Sequence, residues 1–408
     1  MRLDGARAVP ILFALQVWRS ARPAAQRGAP EPAPAVQFDA PRTRFLGRAP
    51  AAPPFPVHVR QKSPSVKSYR VVELLGDGIS AELSRAIHAV AEVLPLKLEF
   101  VPVDLSEGAR ARRGAEVYDE AERNMRACRV SLKYPTTTTS EDASPNKILR
   151  DRCQFSVIHR PVTTIPGIET NFTKSIDIDV VRIGTGGTYE DAGRRIGPDT
   201  AVSLRVIERL PTRHAARFAF KLAMVRKAGV VSSSKYTIQK GTDGLFEEVC
   251  GNVSQDYPGI PYRRELFDSM LANIIMRPER YSVIVTPNEY GDFLSDMLCG
   301  LIGSVGLGDS ASYAFQDNGV IAQAMFDPAG GTAPDIAGKN LCNPTAALLA
   351  LSSMLRHIGE LDASRALRTA LLDAIAAGEK TGDIGGKLKT DEFTAVVIRR
   401  VQAQLSPA

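Results

Sequence analysis

From residue 69 onward, apolar positions recur with the period of a strand or of a helix, and the two periods alternate. "YRVVELL" (69–75) reads as a strand running into the turn "GDGIS". "AELSRAIHAVAEVL" then sets Leu83, Ile87, Val90 and Val93 on one helical stripe, and "LKLEFVPVDL" alternates as a strand. Further along, "SIDIDVVRI" predicts a strand and "PTRHAARFAFKLAMVRKAG" a helix closed by Gly229. "VVSSSKY" follows as a strand, "DGLFEEVCGNVSQDY" as a helix, and "YSVIVTPNEYG" as a strand entering another helix. "NPTAALLALSSMLRHIG" begins with an Asn cap at Asn343, puts Pro344 at the first helical position and stops at Gly359. It is apolar almost all round, which predicts a core helix. Strands alternating with helices predict an α/β fold built on a largely parallel sheet.

The first 66 residues read differently. Residues 1–30 hold five Arg, no Lys and one acid, with Leu12, Leu15 and Trp18 along one helical face. This Arg-rich, acid-poor pattern predicts a mitochondrial presequence and a location in the matrix. Residues 28–66, with "APEPAPA" and "APAAPPFP", are too poor in apolar residues to build a core. The net charge of +6 owes much to this leader, which weighs against nucleic acid as a partner. The five cysteines show no C-x-x-C and no zinc spacing, as expected of reduced thiols. No apolar run reaches membrane-spanning length.

Three clusters carry candidate chemistry. In "NEYGDFLSDMLCG", Asp292 and Asp296 stand four apart at a helix start, a spacing that suits Mg²⁺ or Mn²⁺. It equally suits one acid facing the helix dipole and the other solvated. In "SPNKILRDRCQFSVIHRP", Ser144, Asn146 and Arg150 gather at a helix start and Arg160 follows a strand; two guanidinia with a hydroxyl and an amide suit a ligand with several carboxylates. In "GGTAPDIAGKNLCNPTA", a Gly-rich turn precedes Asp335, which suits ribose hydroxyls and disfavours a 2′-phosphate. No G-x-G-x-x-G fingerprint occurs. The run "GTGGT" (184–188) admits a phosphate loop, a connector or a strand end stripped of reactive side chains.

Taken in order, "LLGDGIS", "LKYPTTTT…SPN…R", "SSKYTIQKGTDGLF", "NEYGDFLSDMLCGLIG" and "GGTAPDIAGKNLCNPTA" resemble the isocitrate and isopropylmalate dehydrogenases, over roughly residues 69 to 405. With "SPN" and the presequence, the chain most resembles the mitochondrial NAD-dependent isocitrate dehydrogenase subunits. The resemblance implies a two-lobed, non-Rossmann α/β fold: a large domain (67–155 plus 303–408) interrupted by a smaller dimerising domain (156–302). It implies partner subunits of the same family, NAD as cofactor and a divalent metal, Mg²⁺ or Mn²⁺. Hydride passes from the alcohol carbon of isocitrate to NAD⁺, and the β-carboxylate then leaves. By position, Ser144, Asn146, Arg150 and Arg160 bind substrate. Asp292 and Asp296 bind metal, and Asp268 completes the metal site of a second subunit. Lys235 acts in proton transfer, and Thr137, Gly331, Thr332, Asp335, Ile336 and Asn343 line the nucleotide.

The family segment D-x-V-x-x-R-E-N-T-E-x-x-Y, laid on this chain, puts Gly184 at the substrate Arg, Thr185 at the Glu and Asp191 at the proton-donating Tyr. Thr237 replaces an Asn, and Gly330 a His that touches nucleotide. These departures predict a subunit whose own active site is impaired. The alternatives are a non-catalytic regulatory or structural subunit, and an isopropylmalate-type enzyme.

Overall fold

The computed structural model describes residues 66–138 and 144–406, so the predicted presequence and most of the Pro/Ala-rich segment lie outside the described residues. Ten strands form one sheet. On one side run β1 (Ser68–Leu75), β2 (Lys97–Asp104), β3 (Val130–Lys133) and β12 (Ile321–Pro328), all parallel, in the order β2-β1-β3-β12. On the other run β5 (Asp177–Ile183), β10 (Val283–Thr286), β8 (Val230–Ser234) and β9 (Tyr262–Leu266), again parallel, in the order β5-β10-β8-β9. Two antiparallel neighbours, β11 (Asp309–Phe315) and β4 (Phe155–Thr163), join the halves. A short hairpin, β6 (Arg194–Arg195) with β7 (Ala201–Val202), stands apart from the sheet.

Helices cover the sheet, some where the 3.6-residue period predicted them and others, among them the two C-terminal ones, in segments for which no helix was predicted. They are α1 (Ser80–Ala91), α2 (Glu107–Arg113), α3 (Ala115–Cys128) and α4 (Pro145–Cys153), then α5 (Arg209–Arg226), α6 (Thr242–Ser254), α7 (Phe267–Met276) and α8 (Asn288–Leu301). The C-terminal part adds α9 (Thr345–His357), α10 (Leu361–Ala376) and α11 (Thr390–Leu405). Every residue of α9 from Thr345 to Leu355 is buried, as its all-round apolar character requires. Pro344 takes the N-cap rather than the expected first helical position, Asn343 just before it accepts from the Thr345 N–H at 3.0 Å, and Gly359 follows with φ +89°. By contrast α5 stops at Arg226, because Lys227 itself takes the left-handed conformation that Gly229 was expected to supply. Among the described residues no helix is long and apolar enough to cross a membrane, and all five cysteines are free.

The parallel run of β5, β10, β8 and β9 gathers segments that are far apart in the chain. Their C-terminal ends emerge side by side, so the turn after β5, the start of α8, Lys235 after β8 and the start of α7 share one edge of the sheet.

Candidate active site

β5 carries Asp177 and the buried Asp179, then Val180 and Val181, and reaches Arg182, whose side chain is 1% exposed near the strand end. Its Nε donates to Asn288 Oδ1 at 2.8 Å and its Nη1 pairs with Asp292, both on α8. Beyond Ile183 the chain turns through "GTGGT" against α8, and the glycines are steric necessities. A Cβ at Gly184 would lie under 3.0 Å from the backbone oxygen of Phe155, and one at Gly187 equally close to the Glu289 carboxylate. Gly186 and Gly187 have φ of +67° and +71°, a region that favours glycine. Asn288 Nδ2 donates to the Gly186 carbonyl at 2.9 Å and fastens the turn.

This turn delivers Tyr189 to Asp292: the phenol donates to Oδ2 at 3.1 Å, and the Arg182 guanidinium lies 5.8 Å from the ring centre. The expectation of an emptied position at Gly184 and Asp191 is therefore corrected. Arg182 and Tyr189 supply a guanidinium and a phenol at the strand end. Gly184 is small because β4 passes it, and Asp191 instead accepts from the backbone N–H groups of Gly193 and Leu204.

Two of the candidate substrate residues, Arg160 and Arg150, act on Asp292. Arg160, on β4, donates to Ser295 Oγ at 2.7 Å and to Asp296 Oδ1 at 3.2 Å, and lies 3.2 Å from Asp292 Oδ1. Burial acts to raise the Asp292 pKa, but Arg182 and Arg160 outweigh it and hold the group below its ordinary value. For Asp296 burial outweighs Arg160 and the shift is upward. Burial, then repulsion from Arg160, lowers Arg150; a guanidinium nonetheless keeps its charge at neutral pH. Ser144 precedes α4, with Pro145 at the first helical position, and its side chain makes no cap hydrogen bond. Asn146 Oδ1, Arg150 Nε and Arg160 Nε are buried without a hydrogen-bond partner. One residue past Asn146, Lys147 pairs with Asp151 at 2.7 Å and with Glu190 at 3.5 Å, beside Tyr189.

Lys235 and Asp268 form a separate pair, Nζ to Oδ2 at 2.6 Å, with Asp268 exposed. Among the described residues no three His, Cys, Asp or Glu side chains gather closely enough to hold a metal. Asp268 thus stands apart from Asp292 and Asp296 within one chain. The donor chemistry of the latter two fits half of a hard-cation site, since oxygen ligands one helical turn apart face the same way.

The nucleotide candidates are organised by the Gly-Asp-Gly turn after β1. Asp77 accepts from Thr137 N at 2.8 Å, and Arg110 donates to the Thr137 carbonyl at 2.8 Å. The Ile79 N–H donates to the Thr332 carbonyl at 3.0 Å. Gly78, with φ +56°, lets Thr332 approach closer than any Cβ would allow. Glu82, buried at the start of α1, accepts from Gly338 N and Asn340 N at 2.9 and 2.7 Å, which shapes the loop carrying Gly331, Asp335 and Ile336. Asp335 is exposed and Ile336 half-buried; Asn343 Nδ2 donates to Asp383 at 3.0 Å.

Residues 70–397 match the isocitrate/isopropylmalate dehydrogenase family model. The chain belongs to that family. A 3-isopropylmalate dehydrogenase of Archaeoglobus fulgidus is 36% identical over 327 residues, covering 79% of this chain and 97% of the relative. A regulatory subunit of the mitochondrial NAD isocitrate dehydrogenase of Dictyostelium discoideum is 33% identical, covering 85% and 96%. Among solved structures, the isocitrate dehydrogenase of Methylococcus capsulatus superposes with a TM-score of 0.76 at 30% identity, over 82% of this chain and 99% of that one. Family membership accounts for the mixed sheet, and this dehydrogenase fold needs no Rossmann fingerprint.

Sequence spacing passes over Arg182 and sets Tyr189 two positions too early to serve, although both leave a signal. Arg182 is the basic residue of this core strand, one position before its end, and Tyr189 is an aromatic directly after a glycine turn.

Proposed function

We propose that this chain is a working subunit of an NAD-dependent, divalent-metal-dependent isocitrate dehydrogenase. The observation that carries the proposal is the convergence of Arg150, Arg160, Arg182 and Tyr189 around Asp292, with Arg150 Nε and Arg160 Nε buried and unpartnered. Buried donors without acceptors are costly, and substrate carboxylates satisfy them. Ser144, Asn146 and Lys147 make the first turn of α4 polar and cationic, which favours a third carboxylate over an apolar substituent. Asp292 and Asp296, with Asp268 of a second copy, would hold Mg²⁺ or Mn²⁺, which supplies charge stabilisation at the reacting oxygens. Tyr189 serves as the proton donor of the last step, and Lys235, reaching a second copy's site, transfers the hydroxyl proton. Asp335 would accept from the ribose hydroxyls of NAD. The Arg-rich leader and the mitochondrial relatives support a matrix location.

A second reading, a non-catalytic regulatory or structural subunit, is favoured by Gly330. A Cβ there would meet nothing within 4 Å, so no packing explains the lost side chain. Purified chain, by itself and co-expressed with a paralogous subunit, is assayed for NADH production from isocitrate and from 3-isopropylmalate with Mg²⁺. Turnover of isocitrate by the chain alone supports the proposal. Activity only with the paralogue supports the second reading, and preference for 3-isopropylmalate overturns the substrate assignment.

A further inference from the structure

Tyr189 and Lys235 stand on different segments, yet an unbroken run of charges joins the backbones that hold them. The Thr188 N–H, next to Tyr189, donates to Glu289 Oε2 at 3.3 Å. Glu289 pairs with Arg205, and Arg205 Nε donates to Asp243 Oδ1 at 3.0 Å. The other oxygen of Asp243 accepts from the Lys235 N–H at 2.7 Å. Both acids are buried, Asp243 at 0% and Glu289 at 3% exposure, so water cannot replace the cation between them. Arg205 also lies 4.7 Å from the centre of the Tyr290 ring. Its chain neighbour Val206 exchanges backbone hydrogen bonds with Gly187 at 2.7 and 3.1 Å, a second hold on the Tyr189 turn.

We propose that Arg205 is a positioning residue that sets the Tyr189 turn and the Lys235 strand end together, through the carboxylates of Glu289 and Asp243. The roles of Tyr189 and Lys235 rest on the proposed function; the mechanical coupling does not. A guanidinium suits the task because its rigid fork reaches two carboxylates at once. Lysine, a single point charge, preserves the neutralisation but only part of the geometry. Where Lys235 serves the site of a second copy, one Arg205 governs a residue in each of two sites.

The test uses the full-length chain in three variants: Arg205→Lys, Arg205→Met, and the charge-balanced Arg205→Met/Asp243→Asn/Glu289→Gln, which leaves no unpaired buried acid. Amide hydrogen exchange is read in the peptides spanning Thr188–Tyr189 and Lys235–Tyr236, with steady-state turnover alongside. In the charge-balanced protein, exchange rises by about tenfold or more in both segments, the loss expected of charge-assisted hydrogen bonds. Turnover falls about hundredfold through kcat, as misplacement by about 1 Å produces, while KM stays within about threefold. Arg205→Lys recovers part of kcat. In mixed dimers, Lys235→Met with Tyr189→Phe rebuilds one intact site. Wild type with Arg205→Met falls below half activity, because each site carries one displaced group.

Faster exchange in only one of the two segments overturns the coupling, as does kcat within about threefold of wild type for the charge-balanced protein. If the wild type oxidises no 2-hydroxy acid, the proposed function fails. Exchange then decides alone: joint loosening supports the coupling and single-segment loosening overturns it.

Discussion

Gly184→Arg distinguishes a strand end that has lost its substrate arginine from one that already holds it at Arg182. Were position 184 vacant, the new guanidinium would restore a missing contact and raise kcat/KM. The packing gives the opposite expectation. The Gly184 N–H donates to the Ser156 carbonyl at 2.9 Å, and any Cβ lies under 3.0 Å from the Phe155 oxygen, a backbone atom that cannot rotate away. Either β4 or β5 must move, and these strands carry Arg160 and Arg182. Overpacking costs about 1–3 kcal/mol, and a backbone clash belongs at the upper end. At roughly 2 °C per kcal/mol for a chain of this size, Tm drops by about 5 °C or more. A displacement of about 1 Å in the two guanidinia lowers kcat/KM by about hundredfold. Gly184→Ala introduces the Cβ alone and should show most of the Tm loss. Calorimetric Tm and steady-state kinetics with isocitrate provide the readout. An unchanged Tm together with a raised kcat/KM in Gly184→Arg would refute the placement of Arg182 as the working arginine.

Tyr189→Phe removes only a hydroxyl from a side chain 39% exposed, so Tm should hold while kcat falls about 10²- to 10⁴-fold. Steady-state rates at saturating isocitrate check this, and kcat within about threefold of wild type would remove Tyr189 from the mechanism. Gly330→His fills open space, so it should lower KM for NAD and leave KM for isocitrate unchanged in an initial-rate study varying both. Burial depresses the pKa of His357 from about 6.5 to about 4. The unfolded chain therefore binds a proton in that interval that the native protein refuses. Stability is full above about pH 6.5 and falls by up to about 3 kcal/mol as pH drops to about 4. Urea unfolding across that range should show a flatter slope in His357→Gln than in wild type.

The elements were legible because burial imposes a period. Helix α9 and strand β5 read correctly since one is surrounded by core and the other runs through the middle of the sheet. The candidate acids on α8 were legible for a related reason: spacing on a helix decides which side chains share a face, as with Asp292 and Asp296. Pairing between segments distant in the chain was not legible. Nothing in the spacing of Asp243, Glu289 and Arg205 says that one guanidinium serves both acids.

The misplacement of the strand-end arginine has a physical cause. Side chains along a strand alternate faces, so residues two apart point the same way. A register error of two is therefore invisible to any pattern of inside and outside positions, whereas an error of one would have thrown Arg182 onto the wrong face. Gly184 and Arg182 are two apart, and so are Asp191 and Tyr189. The family pattern places its Tyr seven residues after its Arg, and the interval from Arg182 to Tyr189 is also seven. One common shift thus accounts for both apparent losses, and the close approach of Phe155 shows why the residue at 184 must be small. No such account covers Gly330, which has open space around it, or Thr237, which is exposed. On the proposed function, the substrate side of the site keeps its arginine and its tyrosine at Arg182 and Tyr189. The departures that remain lie at Gly330, among the candidate nucleotide residues, and at Thr237, two residues after Lys235. Any weakness of this chain acting alone is therefore expected in its grip on NAD or in the placement of Lys235, before its grip on isocitrate.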